Sequence, residues 1–183
     1  MTAIFLARHG ETDDNVPPAR VMGWVDPPLN DTGRAQARAL AGEARERGIA
    51  ALYTSHLARA RETAAIVGEA IGLEPIVDER FAESGRGRWE GRLVEDIRRE
   101  EPEAWDEWMR AAEGFAFPGG ESLAQHCARV AEGLREVSAG TLPALVVCHG
   151  GSIRCAFAER DPRGLDAFHE LRVPNATLMR LPG

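Results

Sequence analysis

The chain has 183 residues, 44% of them hydrophobic, and contains no apolar run near the ~18 residues that a membrane-spanning helix needs. At this length roughly 70% of the unfolded chain's surface can be buried, so one domain spanning residues 1–183 is expected to stand without disulfides or a structural metal. Twenty-nine acidic against 22 basic side chains give a net charge of −7, which argues against broad nucleic-acid or anionic-membrane binding. Every basic side chain among the 22 is arginine, so lysine Schiff-base chemistry and the lysine-bearing phosphate loop are excluded and guanidinium forks are the strong anion clamps.

Thr2 to Ala7 is a short apolar run that stops at Arg8-His9-Gly10, as a buried parallel strand opening into a loop does. Asp13 to Asn30 carries Pro17, Pro18, Pro27 and Pro28 and is expected to cross the strand ends as a loop. A helix is predicted from Thr32 to Arg47, with Gly48 at its C-cap, and then a strand from Ala50 to Thr54. Leu57, Ala60, Ala64, Val67 and Ile71 repeat at helical spacing up to Gly72.

Pro75 to Val77 suggests a third strand, Glu83 to Gly91 reads as irregular, and charged helices are expected between Leu93 and Ala112. Past Pro118-Gly119-Gly120, Glu121 to Val137 is helical by composition, Ala144 to Cys148 is a buried strand, and Ser152 to Glu159 begins another helix. Leu171 to Val173 and Thr177 to Leu181 are two further strand candidates. Strands alternating with helices imply a mostly parallel sheet covered on both faces, with ligands at the strands' carboxyl ends.

His9 and His149 each follow a predicted buried strand and each precede glycine, so both can project into one crevice. The string Arg8-His9-Gly10-Glu11-Thr12, with Asn15 beyond it, resembles the histidine phosphatase superfamily, also called phosphoglycerate mutase-like. The resemblance continues through Gly23-Trp24, Pro28-Leu29, Thr54-Ser55 with Arg59-Ala60 and Thr63-Ala64, and Glu83 ahead of Gly87 to Gly91. It resumes at Pro118-Gly119-Gly120-Glu121-Ser122, His149-Gly150-Gly151 and Asn175, leaving mainly Arg92 to Phe117 without a counterpart.

The resemblance implies an α/β three-layer α/β/α fold with a mixed, mostly parallel sheet, and residues 92–117 read as a helical lid over the site. It also implies phosphomonoester hydrolysis in which His9 attacks phosphorus and Glu83 gives a proton to the leaving oxygen, then activates water. Arg8 and Arg59 grip phosphoryl oxygens, His149 adds a donor, and Asn15, the backbone around Gly23 and Gly150 complete the pocket. Glu83 needs a pKa raised by burial or by phosphate for this role, with Glu11 and Glu90 as weaker candidates. The scheme requires no metal or diffusible cofactor, and the partner it implies is a small phosphorylated substrate or inorganic phosphate.

Each residue also has a plainer reading. His9 alone reads as a capped structural histidine, Arg59 as a solvated helix residue, Asn15 as a turn former and Gly23 as a turn glycine. His56, where the family usually has proline, either approaches the phosphate or caps the following helix, with the cap preferred. His126 and His169 are assigned to partly exposed positions without a role, and Trp89, Trp105 and Trp108 to core packing rather than a lid. Cys148 and Arg154 frame a string that resembles the loop of cysteine-dependent phosphatases, an alternative in which Cys148 is a thiolate nucleophile and Arg154 binds phosphate.

The enzyme runner-up is a cofactor-dependent mutase. Such mutases usually have longer chains, a substrate-site lysine, and asparagine after the second His-Gly, where this chain carries Gly151. A phospholigand-binding regulator with an inactive site is the alternative from another class. The three cysteines, Cys127, Cys148 and Cys155, lack CxxC spacing, zinc-ligand pairs are missing, and Met1 to Arg8 does not read as a signal peptide, so a reducing cytoplasm is expected.

Overall fold

Period-two alternation along the central strands decides how the layers form. In the computed structural model, which describes residues 3–111 and 114–183, β1 (Ile4–Arg8) and β4 (Ala144–Cys148) lie side by side. Phe5, Ala7, Leu145 and Val147 face one buried cluster, and Leu6, Ala144, Val146 and Cys148 face another. A strand buried on both faces has to be apolar throughout, as all five residues of β4 are.

The sheet runs β3-β2-β4-β1-β5, with β2 (Ala51–Thr54) and β3 (Ile76–Val77) parallel to β4 and β5 (Met179–Arg180) antiparallel to β1. Helices α1 (Asp31–Glu46) and α2 (Ala58–Ile71) cover the first face. The second face carries α5 (Leu123–Ala139) and α6 (Gly150–Ala158), together with α3 (Val94–Glu100) and α4 (Pro102–Met109). This is the expected mixed, mostly parallel α/β/α arrangement.

Local chemistry sets the helix ends. The Asn30 side chain accepts the Gly33 N–H at 2.8 Å and starts α1 one residue before the predicted Thr32. Ala37, Leu40, Ala41 and Ala44 give it a buried stripe, and Gly48 turns the chain beyond it at φ +63°. Gly72 ends α2 in the left-handed conformation, donating to the Gly68 carbonyl at 2.8 Å.

Several expectations need correction. Leu171–Val173 is not a strand, because the Leu171 and Val173 carbonyls accept from Arg154 and Arg8 side chains rather than from a neighbouring strand. His56 is exposed and caps nothing, since Ser55 Oγ accepts the Leu57 N–H and the Asp26 carboxylate accepts that of Ala58. His126 is buried rather than partly exposed, because α5 packs it against Ser152 of α6. Cys127 and Cys155 pair in a disulfide between those helices, leaving Cys148 as the free cysteine. Thr2 and Ala112, the ends of two predicted elements, lie outside the described residues. Among the described residues no helix is long and apolar enough to cross a membrane.

The turn after β1 depends on backbone-to-backbone approach. A Cβ at Gly10 would stand 2.4 Å from the Gly33 carbonyl oxygen, and one at Gly33 would stand 2.1 Å from that of Glu11. Gly33→Ala is therefore expected to destabilise the fold by about 1–3 kcal/mol through overpacking. The check is a lower denaturant midpoint at unchanged slope, and an unaltered midpoint contradicts the packing account.

Candidate active site

Because Arg8 of β1 pairs with Cys148 of β4, the next residue on each strand leaves the sheet at the same level. These residues are His9 and His149, whose ring centroids lie 5.2 Å apart at 56°. Two buried strands ending in register thus place two imidazoles side by side at their carboxyl ends.

His9 is almost fully buried, and its Nδ1 lies 2.7 Å from the Gly10 carbonyl. A carbonyl only accepts, so Nδ1 carries the proton and Nε2 holds the free lone pair. Arg59 Nε donates to that lone pair at 3.3 Å. Burial, then Arg8 and Arg59, holds the imidazole well below its ordinary pKa, which keeps it neutral. His149 is also fully buried and lowered by burial, Arg59 and His9, with Nε2 2.9 Å from Ser55 Oγ.

Arg59, in the first turn of α2, is 1% exposed and donates to the Gly23 carbonyl at 2.8 Å, the Val25 carbonyl at 2.9 Å and Asp26 at 3.0 Å. Gly23, in the loop before α1, adopts φ +50°, and a side chain there would also meet Glu90. Arg8 gives one N–H to the Val173 carbonyl at 3.4 Å, while its Nε is buried without a partner. Asn15 accepts the Thr12 N–H at 3.4 Å through Oδ1, and its Nδ2 is buried without a partner.

The buried side-chain polar atoms lacking a partner among the described residues are Arg8 Nε, Thr12 Oγ1, Asn15 Nδ2 and His149 Nδ1. All four follow the carboxyl ends of β1 or β4 or sit in the last residue of β1. Buried polar groups are normally paired, so the orphaned Arg8 Nε and Asn15 Nδ2, on two residues that line one cleft, mark a place built for a polar ligand. Arg8, Asn15, Gly23, Arg59 and Gly150 line one cleft of about 280 Å³ together with His9 and Glu83.

Glu83 reaches this cleft from the irregular segment after β3. Its Oε2 accepts the Gly151 N–H at 3.0 Å, its Oε1 accepts the Ser84 N–H at 2.9 Å, and Arg86 lies 3.4 Å away. Burial pushes its carboxyl pKa up, but Arg86, His126, His149 and the Gly151 N–H together hold it well below the ordinary carboxylate range. Burial alone therefore does not raise it, and of the two expected causes a nearby phosphate is the one left: without substrate, Glu83 is a carboxylate. Its approach also explains Gly151, where a Cβ would stand 2.2 Å from Glu83 Oε1. Glu11 bonds Asn30, and Glu90 accepts the Trp24 and Arg86 N–H groups, and neither lines the cleft.

Cys148 is completely buried in the core on the α5–α6 side, and burial raises its thiol pKa well above the ordinary range. A protonated thiol facing the core is no nucleophile, which removes the basis of the cysteine alternative. Arg154 does line the cleft, anchored by a 3.2 Å bond to the Leu171 carbonyl. Trp89, Trp105 and Trp108 combine core packing with a place in the cleft wall, and Arg20 bridges to Leu93 at the rim.

Sequence reasoning missed Arg86 and gave His169 no role. The Arg86 guanidinium lies 4.7 Å from the Trp108 ring and 4.2 Å from the Phe117 ring, and His169 Nε2–H donates to the Trp108 carbonyl at 2.8 Å. The available signal for Arg86 was its place three residues after Glu83.

The profile of the histidine phosphatase superfamily (branch 1) matches residues 4–182. A probable phosphoglycerate mutase GpmB of Yersinia enterocolitica is 34% identical over 99% of this chain and 85% of its own. The structure of a mycobacterial glucosyl-3-phosphoglycerate phosphatase complexed with VO3 superposes at TM-score 0.87 and 32% identity, covering 98% of this chain and 92% of that one. Bacillus stearothermophilus YhfR superposes at TM-score 0.85 and 32% identity, covering 98% and 90%. With a family match over almost its whole length and a fold shared with these proteins, the chain belongs to the histidine phosphatase superfamily, branch 1.

Proposed function

We propose that this protein hydrolyses a small phosphomonoester through a covalent phosphohistidine at His9. The observation that carries this reading is the pair of buried, unpartnered donors Arg8 Nε and Asn15 Nδ2 in one cleft with a neutral imidazole whose Nε2 lone pair faces Arg59. Similar structures include the mycobacterial phosphatase in complex with inorganic phosphate and with VO3, which supports a phosphoryl group as the ligand of this cleft.

In the first step the His9 Nε2 lone pair forms a bond to phosphorus while the bond to the leaving oxygen breaks. Glu83 supplies the proton that makes the leaving group an alcohol. Arg8, Arg59, Asn15 Nδ2, Gly150 N–H and His149 take up charge on the phosphoryl oxygens. In the second step Glu83 removes a proton from water, the water oxygen bonds to phosphorus, and the P–N bond breaks to release phosphate and neutral His9. Residues 92–117 serve as a lid over the leaving group within the single 1–183 domain, with Trp105, Trp108 and Met109 lining the cleft.

Glu83 has to gain a proton that it lacks in the free enzyme. A bound phosphoryl group beside it stabilises the protonated form, and the ester's monoanion brings a proton into the complex. The productive complex therefore holds one proton shared between ester and carboxylate.

The relatives named probable phosphoglycerate mutase favour a second reading, in which the phosphoryl group returns to a sugar acid. The absence of lysine, and Gly151 beneath the Glu83 carboxylate, support hydrolysis.

On a panel of phosphomonoesters, His9→Ala is expected to abolish phosphate release, at least a 1000-fold loss, while Cys148→Ser retains it. Loss in Cys148→Ser with retention in His9→Ala reverses the assignment, and isomerised phosphoglycerate formed with added 2,3-bisphosphoglycerate selects the mutase. The pH dependence has a definite sign. Because His9 lies below its ordinary 6.5 and stays neutral, kcat/KM should not drop as pH falls from 6.5 to 5.5. It should fall about tenfold per pH unit above the ester's second pKa of ~6, where the shared proton is lost. A decline on the acid side near 6.5 contradicts a neutral nucleophile.

A further inference from the structure

Glu83 lies in no helix or strand: short 3₁₀ turns at Glu79–Phe81 and Gly87–Trp89 flank it. Side chains from elsewhere must therefore hold its backbone. The largest contribution comes from Arg129 on α5, which lies outside the cleft lining.

Arg129 NH1 donates to the Arg80 carbonyl at 2.8 Å and the Ala82 carbonyl at 2.7 Å, and NH2 donates to the Glu83 carbonyl at 3.0 Å. Its Nε and NH2 also donate to the two carboxylate oxygens of Glu121 at 2.7 and 2.8 Å. These five bonds match the five N–H donors of a guanidinium. Neither a lysine nor a neutral amide can reproduce that fork.

Glu121 extends the hold to the other side of Glu83. Its backbone N–H donates to the Gly85 carbonyl at 2.8 Å, and its Oε2 accepts the Gly85 N–H at 3.4 Å. The preceding turn is shaped to permit this. A Cβ at Gly120 would lie 2.3 Å from the Gly85 carbonyl oxygen, and one at Gly87 would lie 2.3 Å from that of Pro118. The Pro118-Gly119-Gly120-Glu121 string, given no task by the phosphoryl chemistry, thus fits against the Gly85–Arg88 loop.

We infer that the Glu121–Arg129 pair is a clamp that positions the Glu83 carboxyl for proton transfer to the leaving oxygen, making Arg129 a positioning residue. The inference rests on the proposed acid role of Glu83. A displacement of about 1 Å in a catalytic group can cost about 100-fold in rate, so a clamp on both flanks of Glu83 has a kinetic consequence. That consequence falls where the acid is needed: on esters whose leaving group departs poorly without a proton.

The test compares kcat/KM, which reports phosphoryl transfer to His9, on p-nitrophenyl phosphate and 4-methoxyphenyl phosphate. Glu83→Gln is measured alongside to set the leaving-group dependence of an absent acid. Arg129→Gln is expected to lose at least about tenfold on the methoxy ester and less than about threefold on the nitro ester, with Glu121→Gln and Arg129→Lys in the same direction. Equal losses on both esters, or none on either, overturn the clamp when Glu83→Gln shows the dependence. A Glu83→Gln enzyme without leaving-group dependence instead overturns the acid assignment, and the clamp proposal with it. Thermal melting of each variant identifies one that does not fold, in which case the two milder substitutions decide by the same criterion.

Discussion

The site depends on a hydrogen bond between His9 Nδ1 and the carbonyl of the next residue, Gly10, at 2.7 Å. That bond fixes the tautomer and leaves the lone pair on the ring nitrogen nearer Arg59. The surroundings are arranged around it. Thr63 accepts the Gly10 N–H at 3.0 Å, Asn175 donates to the His9 carbonyl at 2.9 Å, and the Gly10–Gly33 approach holds the turn against α1. Burial first, and then two neighbouring guanidiniums, keep the imidazole from taking a second proton, so groups that suit an anionic ligand also help to keep the proposed nucleophile neutral.

Glu83 faces the opposite requirement. The cations and N–H donors around it favour its charged form, which suits the water-activating half of the proposed two-step hydrolysis. The proton-donating half requires the bound ester to reverse that preference. In the proposed reaction one carboxyl group serves in both directions because the phosphoryl group's arrival changes its surroundings. Gly151 makes this proximity feasible, since a side chain there would occupy the carboxylate's space.

Much of the architecture was legible because buried strands leave an unmistakable mark: β1 is apolar up to its last residue, Arg8, and β4 is apolar throughout, and they break into Arg-His-Gly and His-Gly-Gly. The motif residues Arg8, His9, Asn15, Gly23, Arg59, Glu83 and Gly150 do meet in one cleft, with His149 beside His9. What escaped the sequence depends on partners distant in the chain. His126 is buried only because α5 meets Ser152 on α6, and Arg86 is held by Trp108 and Phe117. Leu171–Val173 has strand-like composition, yet arginine side chains take its carbonyls. The charge of Glu83 is likewise a sum over groups from several elements, which no local pattern encodes.

The central claim, a neutral His9 protonated on Nδ1, is tested most directly by ¹⁵N NMR of the imidazole nitrogens in the ligand-free protein, with His9→Gln used to assign the signals. The account predicts one neutral Nδ1–H tautomer at pH 7 that persists as pH falls through 6.5. An imidazolium at pH 7, or a proton on Nε2, would contradict it.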